Sequence, residues 1–118
     1  APDLADEAVE DLVGLAVELG IHGIIASNTT IRRDVLTQDP HQAGGLSGAP
    51  LWPIARHCVQ VALDAASSKI PVIGVGGIEN AQQAGELLDA GCAAVQVYTA
   101  FIYRGPGLPS ALHSGLAA

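Results

Sequence analysis

The segment Pro71-Val72-Ile73-Gly74-Val75-Gly76-Gly77-Ile78-Glu79-Asn80 constrains the fold more than any other part of the chain. Val72, Ile73 and Val75 form the short apolar run of a strand covered on both faces. Gly74, Gly76 and Gly77 punctuate it, and residues without a Cβ permit unusual dihedrals and a close approach of ligand to backbone. Asn80 and Gln83 have the spacing of a helix N-cap and its reciprocal partner. Strand, glycine turn and helix start in this order predict a βα unit. Its exposed N–H groups suit an anion, above all a phosphate. A tight turn with nothing bound has the same local pattern, so the rest of the chain has to decide between the two.

Before this segment, Asp3 is placed to cap a helix with Asp6 and Glu7 in its first turn. Ala8, Leu12, Leu15, Ala16 and Leu19 recur at helical spacing, and Gly20 stops the pattern. A strand over 21–26 follows, ending in Ser27-Asn28-Thr29-Thr30. Four consecutive hydrogen-bonding side chains at the carboxyl end of a buried parallel strand stand where α/β folds keep their ligands. The stretch 31–43 has no periodicity, and a βα loop of that length tends to be functional. Gly44-Gly45-Leu46-Ser47-Gly48 is amide-rich, and Pro50 and Pro53 suit the first turn of a helix running to about Ala66. Trp52, the only tryptophan, is expected to cap the boundary between this helix and the sheet.

After the glycine segment a helix is predicted over 81–90, ended by Gly91. A strand over 93–97 runs into Tyr98-Thr99-Ala100-Phe101, and a last helix is predicted over 108–116. Strands and helices thus alternate with a period near thirty residues, which calls for a parallel sheet with right-handed crossovers.

Charge narrows the ligand. The chain has a net charge of −7 and five basic residues with no run long enough for a basic patch, which argues against nucleic acid as a partner. A phosphate needs no lysine where backbone amides are free. Cys58 and Cys92 have no metal-ligand spacing to each other or to His22, His41, His57 and His113, so no metal site is expected. They read as reduced packing residues, and the histidines as surface or structural groups.

Two α/β architectures compete. A dinucleotide fold wants Gly-x-Gly-x-x-Gly, but Glu79 stands at the last glycine position, and the acidic residue expected near the end of the next strand is replaced by Gln96 and Val97. A (β/α)8 barrel fits better, since the loops after its last two strands often build a phosphate site with a short extra helix. A whole barrel takes roughly 250 residues. Residues 1–118 therefore read as the C-terminal portion of a TIM barrel, about three parallel strands with flanking helices. Another phosphate-binding barrel enzyme, such as an isomerase or synthase, or a non-catalytic phosphate-binding module would share that anion site.

Ser27-Asn28-Thr29-Thr30, Gly44-Gly45-Leu46-Ser47-Gly48, Ile73-Gly74-Val75-Gly76-Gly77 and Val97-Tyr98-Thr99-Ala100 follow one another at separations that resemble the C-terminal region of dihydroorotate dehydrogenase, class 2, the quinone-dependent branch. Each motif is weak alone, but the ordered set covers nearly the whole chain. The resemblance implies FMN-dependent oxidation of dihydroorotate to orotate in pyrimidine biosynthesis, with a quinone as acceptor, and residues 1–118 as a partial FMN-binding barrel domain. It puts Ser27, Gly48, Gly77, Tyr98 and Thr99 on FMN-binding positions, and Asn28 and Thr29 on substrate-binding positions. Ser27 departs from the threonine common in the family and keeps only its hydroxyl. The resemblance also places outside this chain the serine general base, a flavin-contacting lysine, and the helices that receive quinone at a membrane. That membrane would be the cell inner membrane in a bacterium or the mitochondrial inner membrane in a eukaryote. No catalytic residue is therefore expected within 1–118, and the chain alone should not turn over.

Overall fold

The computed structural model describes all residues, 1–118. In chain order the elements are α1 (Asp6–Glu18), β1 (Ile24–Ala26), a 3-10 turn (Ala49–Leu51), α2 (Trp52–Ala66), β2 (Val72–Val75), α3 (Ala81–Ala90), β3 (Ala94–Gln96), α4 (Thr99–Arg104) and α5 (Leu108–Ala117). The strands form one parallel sheet in the order β1-β2-β3. In register, Ile25 lies beside Ile73 and Ile73 beside Ala94, while Val75 lies beside Gln96.

Successive side chains of a strand point to opposite faces, and the two faces of this sheet differ. Ala26, Val72 and Gly74 are buried on the helix side. There Val13, Val59, Ala62, Ala84 and Leu87 complete a continuous core. The opposite face carries Ile25, Ile73, Ala94 and Gln96, and Ile25 is 59% exposed. The expectation of a strand covered on both faces is therefore corrected: helices cover one face only. The molecule is accordingly a slab of 39 × 39 × 18 Å, one sheet with one layer of helices on it. In a closed barrel the second face is the interior, where rows of side chains from neighbouring strands stack in layers.

Local chemistry explains where the elements differ from the sequence expectation. Asp3 does not cap α1. The N-cap is Ala5, and the Asp3 carboxylate reaches across to the end of β1 instead. The buried stripe of α1 is Val9 and Val13, one step round from the predicted face, whereas Leu12, Leu15 and Leu19 are exposed. Val9 and Val13, four apart, turn the helix onto α2 and the core. Leu12 is left over the open edge of β1 in a shallow apolar groove with Leu4, Ile24 and Ala26. β1 begins three residues late because the chain after α1 is spent on its cap: Gly20 has φ +72°, and the Ile21 N–H donates to the Ala16 carbonyl at 2.9 Å.

The segment 99–104 is helical where a polar strand end was expected. Nothing in its sequence announces this, since Tyr98 as N-cap makes no side-chain cap. Its buried face, Ala100, joins Leu108 and Leu112 of α5 in a small second core beneath Val97. Asn80 does cap α3: its Oδ1 accepts the Gln83 N–H at 2.9 Å. Gln83 Oε1 in return accepts the N–H of Glu79, one residue earlier than a strict capping box, at 2.7 Å. Trp52 is half-buried and packs on the main core at the start of α2. Cys58 and Cys92 are free and buried, and burial pushes both thiols above their ordinary pKa. All four histidines are exposed. No helix is long and apolar enough to cross a membrane.

Candidate functional site

Parallel strands place all their carboxyl ends on one edge of the sheet, and the three loops that leave this edge enclose a cleft of about 680 Å³. That volume lies in the usual range for small-molecule and cofactor sites, roughly 300–1,000 Å³. The cleft brings together all seven residues singled out from the sequence: Ser27, Asn28 and Thr29 after β1, Gly48 before the 3-10 turn, Gly77 after β2, and Tyr98 and Thr99 after β3. Thr30, fourth in the polar run, is not among its lining residues. It is fully buried, with its hydroxyl bonded to Asp3.

The half of the cleft built by the β2 and β3 loops offers backbone. The N–H groups of Gly76, Gly77, Ile78, Val97 and Tyr98 make no hydrogen bond within the protein. Ile78 is only 3% exposed, and a buried N–H without a partner is costly. Gly77 has φ +70°, and a Cβ there would lie 2.7 Å from the Cα of Trp52. A side chain at this position is thus excluded both by dihedral and by space. Arg104 of α4 donates to the Glu79 carbonyl, tying the β3 loop to the β2 loop around these amides. No lysine or arginine lines the cleft, and Glu79 is its one carboxylate. A bound anion would therefore be held by peptide dipoles.

The other half offers side chains. The Ser27 N–H donates to the Val75 carbonyl at 2.9 Å, and its hydroxyl to the same oxygen at 3.3 Å. The Ala26–Ser27 peptide is cis. Asn28 Oδ1 accepts the Thr29 N–H at 2.8 Å, which fixes the amide plane and leaves the NH2 group uncommitted. The Thr99 hydroxyl donates to Ser47 Oγ at 2.8 Å, closing the cleft between the β1–α2 connection and α4. Ser47, Gly76 and Glu79 line the cleft as well and were not singled out as site residues. Ser47 and Gly76 lie inside the motifs at 44–48 and 73–77.

The full length of the chain, residues 1–118, matches the family model described as dihydroorotate dehydrogenase. A dihydroorotate dehydrogenase (quinone) of Streptomyces griseus is 47% identical over 100% of this chain and 33% of its own length. Its counterpart in Streptomyces coelicolor is 49% identical with the same coverage. The crystal structure of the Eimeria tenella enzyme in complex with ferulenol superposes with a TM-score of 0.91 at 39% identity, covering 98% of this chain and 31% of that one. The chain thus spans about a third of the length of the curated relatives it matches, and its three strands with their helices are part of a TIM barrel.

Proposed function

The chain belongs to the dihydroorotate dehydrogenase family, and from that premise we propose that it forms the FMN phosphate cradle and one wall of the substrate site of an enzyme that oxidises dihydroorotate to orotate with a quinone as acceptor. The observation that carries this reading is the set of five uncommitted backbone N–H groups at Gly76, Gly77, Ile78, Val97 and Tyr98. They lie in the loops after two adjacent strands and beside the Asn28 NH2 group and the Thr29 hydroxyl, which make no hydrogen bond within the protein. Unpaired amides suit a phosphate dianion, which they can meet without a basic residue.

In this reading Gly77, Tyr98 and Thr99 hold the flavin phosphate through the backbone, while Gly48 and Ser27 border the rest of the cofactor. Bound FMN supplies the acceptor for the two electrons removed from the substrate. Asn28 presents its free NH2 group and Thr29 its hydroxyl to the pyrimidine, whose carboxylate, amide carbonyls and N–H groups need both donors and acceptors. The Asn28–Thr29 hydrogen bond orients the amide before substrate arrives, so little ordering remains to be done on binding. The general base is assigned outside residues 1–118, so the chain contributes binding and orientation. Quinone access and attachment to a membrane surface are likewise assigned to the remainder of a protein of full family length.

The test is purification of the full-length protein. Yellow protein with about one FMN per chain, bleached by dihydroorotate without oxygen, is the expected result. Colourless protein that takes up no FMN, or flavin that dihydroorotate does not reduce, overturns the assignment.

A further inference from the structure

Resting on the reading above, we infer that Asp3, which lies outside the cleft, is a positioning residue that fixes Asn28 and Thr29 for the substrate. Asp3 precedes α1 and is not needed there, because α1 starts from Ala5 without a side-chain cap. Its carboxylate is instead committed at both oxygens to the residues just after the substrate rung. Oδ1 accepts from the Thr30 hydroxyl, and Oδ2 accepts the Ile31 N–H at 3.0 Å. The Thr30 oxygen also accepts the Arg32 N–H at 3.0 Å. Thr30 pairs its backbone with Leu46 in both directions, at 3.1 and 2.7 Å, and it is fully buried.

Thr30 therefore pins the far end of the Ser27–Thr29 turn, whose near end is held by the Ser27 N–H on the Val75 carbonyl. Leu46, its partner, leads directly into Ser47 and Gly48 on the other side of the cleft. The same pairing seats Gly45 against Thr29, so closely that a Cβ on Gly45 would overlap the Thr29 hydroxyl. One anchor thus sets two walls. A carboxylate suits the post because it accepts from a hydroxyl and an amide together, and bonds to a charged acceptor are the stronger kind. An amide in its place has one acceptor oxygen, so either the Thr30 hydroxyl or the Ile31 N–H would lose its acceptor.

The experiment uses the full-length, flavin-loaded enzyme. Orotate affinity is read from the change in flavin absorbance on titration, alongside flavin stoichiometry and melting temperature. Asp3→Asn is expected to weaken orotate binding about tenfold, with flavin content unchanged. Thr30→Val should reproduce the loss, and Thr30→Ser, which keeps the hydroxyl, should restore most of the affinity. Unchanged orotate affinity in both Asp3→Asn and Thr30→Val overturns the inference. So does a loss of flavin and melting temperature in step with orotate affinity, which would make Asp3 a general brace. A wild-type enzyme that binds FMN but shows no orotate response, or binds neither, removes the functional reading itself and is distinguished by that control.

Discussion

The two halves of the cleft offer hydrogen-bonding groups of opposite kinds. Around Gly76-Gly77-Ile78 and Val97-Tyr98 the groups on offer are peptide N–H donors without a partner in the protein. Around Ser27-Asn28-Thr29 and Ser47 the groups on offer are side chains, held by hydrogen bonds to the backbone and to one another. A backbone site tolerates most replacements of neighbouring side chains but fails wherever a Cβ is forced into it. A side-chain site fails by truncation. The lesson is that one edge of one sheet can present free peptide amides beside free side-chain groups, and the proposed function assigns the first to a phosphate and the second to a small acid.

That contrast can be broken most severely at Gly77. Gly77→Ala should destabilise the fold by about 3 kcal/mol, from a left-handed dihedral and a Cβ driven against the Trp52 backbone. Flavin should be lost with it. Chemical denaturation and flavin stoichiometry check this, and a variant that keeps full flavin at wild-type stability would show that the amides are not the anchor. In the side-chain half, Asn28→Ala and Thr29→Val should each leave flavin content intact while raising KM for dihydroorotate by about ten- to a hundredfold, since each removes a hydrogen-bonding group aimed at a polar ligand. Loss of flavin in either variant would erase the division of labour between the halves.

Ser27 sits where the two halves meet. Its hydroxyl bond to Val75 is long, at 3.3 Å, so Ser27→Ala should change flavin affinity by no more than about fivefold, read by fluorescence on flavin release. The smallest effect is one of pH. The Thr30 hydroxyl, and after it the Ile31 N–H, hold the Asp3 carboxyl below its ordinary value of 3.8. A lowered folded-state pKa means that the link stabilises fully above the unfolded value and is lost as pH falls through the folded one. Because Asp3 is exposed, the effect is screened. Wild-type stability should therefore fall slightly more than that of Asp3→Asn below about pH 4, in parallel acid titrations of the melting temperature.

The alternation of strands and helices and the parallel sheet are legible in the sequence because they rest on short-range chemistry, whereas the seven site positions come from the family resemblance, and all seven line the cleft. Apolar runs, glycine turns and the Asn80–Gln83 cap announce themselves within a few residues. Local pattern misleads where a residue's partner lies far along the chain. Asp3 looked like a cap because Asp6 and Glu7 follow it, yet its partners are Thr30 and Ile31. Leu12, Leu15 and Leu19 have helical periodicity, but which stripe turns inward is decided by α2. Thr99 to Arg104 has no local mark of a helix, and it folds as one because Ala100 finds Leu108 and Leu112.

What the order of residues determined by itself is therefore the backbone's local grammar: where strands can run, where only glycine can turn, and which polar groups emerge at the carboxyl ends. What only the tertiary structure decided is which of those groups are spent and which remain free. Thr30 and Asn28 belong to one polar run, yet Thr30 is fully buried and bonded to Asp3, whereas the Asn28 NH2 group has no partner within the protein. Hydrogen-bonding capacity belongs to the residue type, but its availability depends on neighbours brought close by folding.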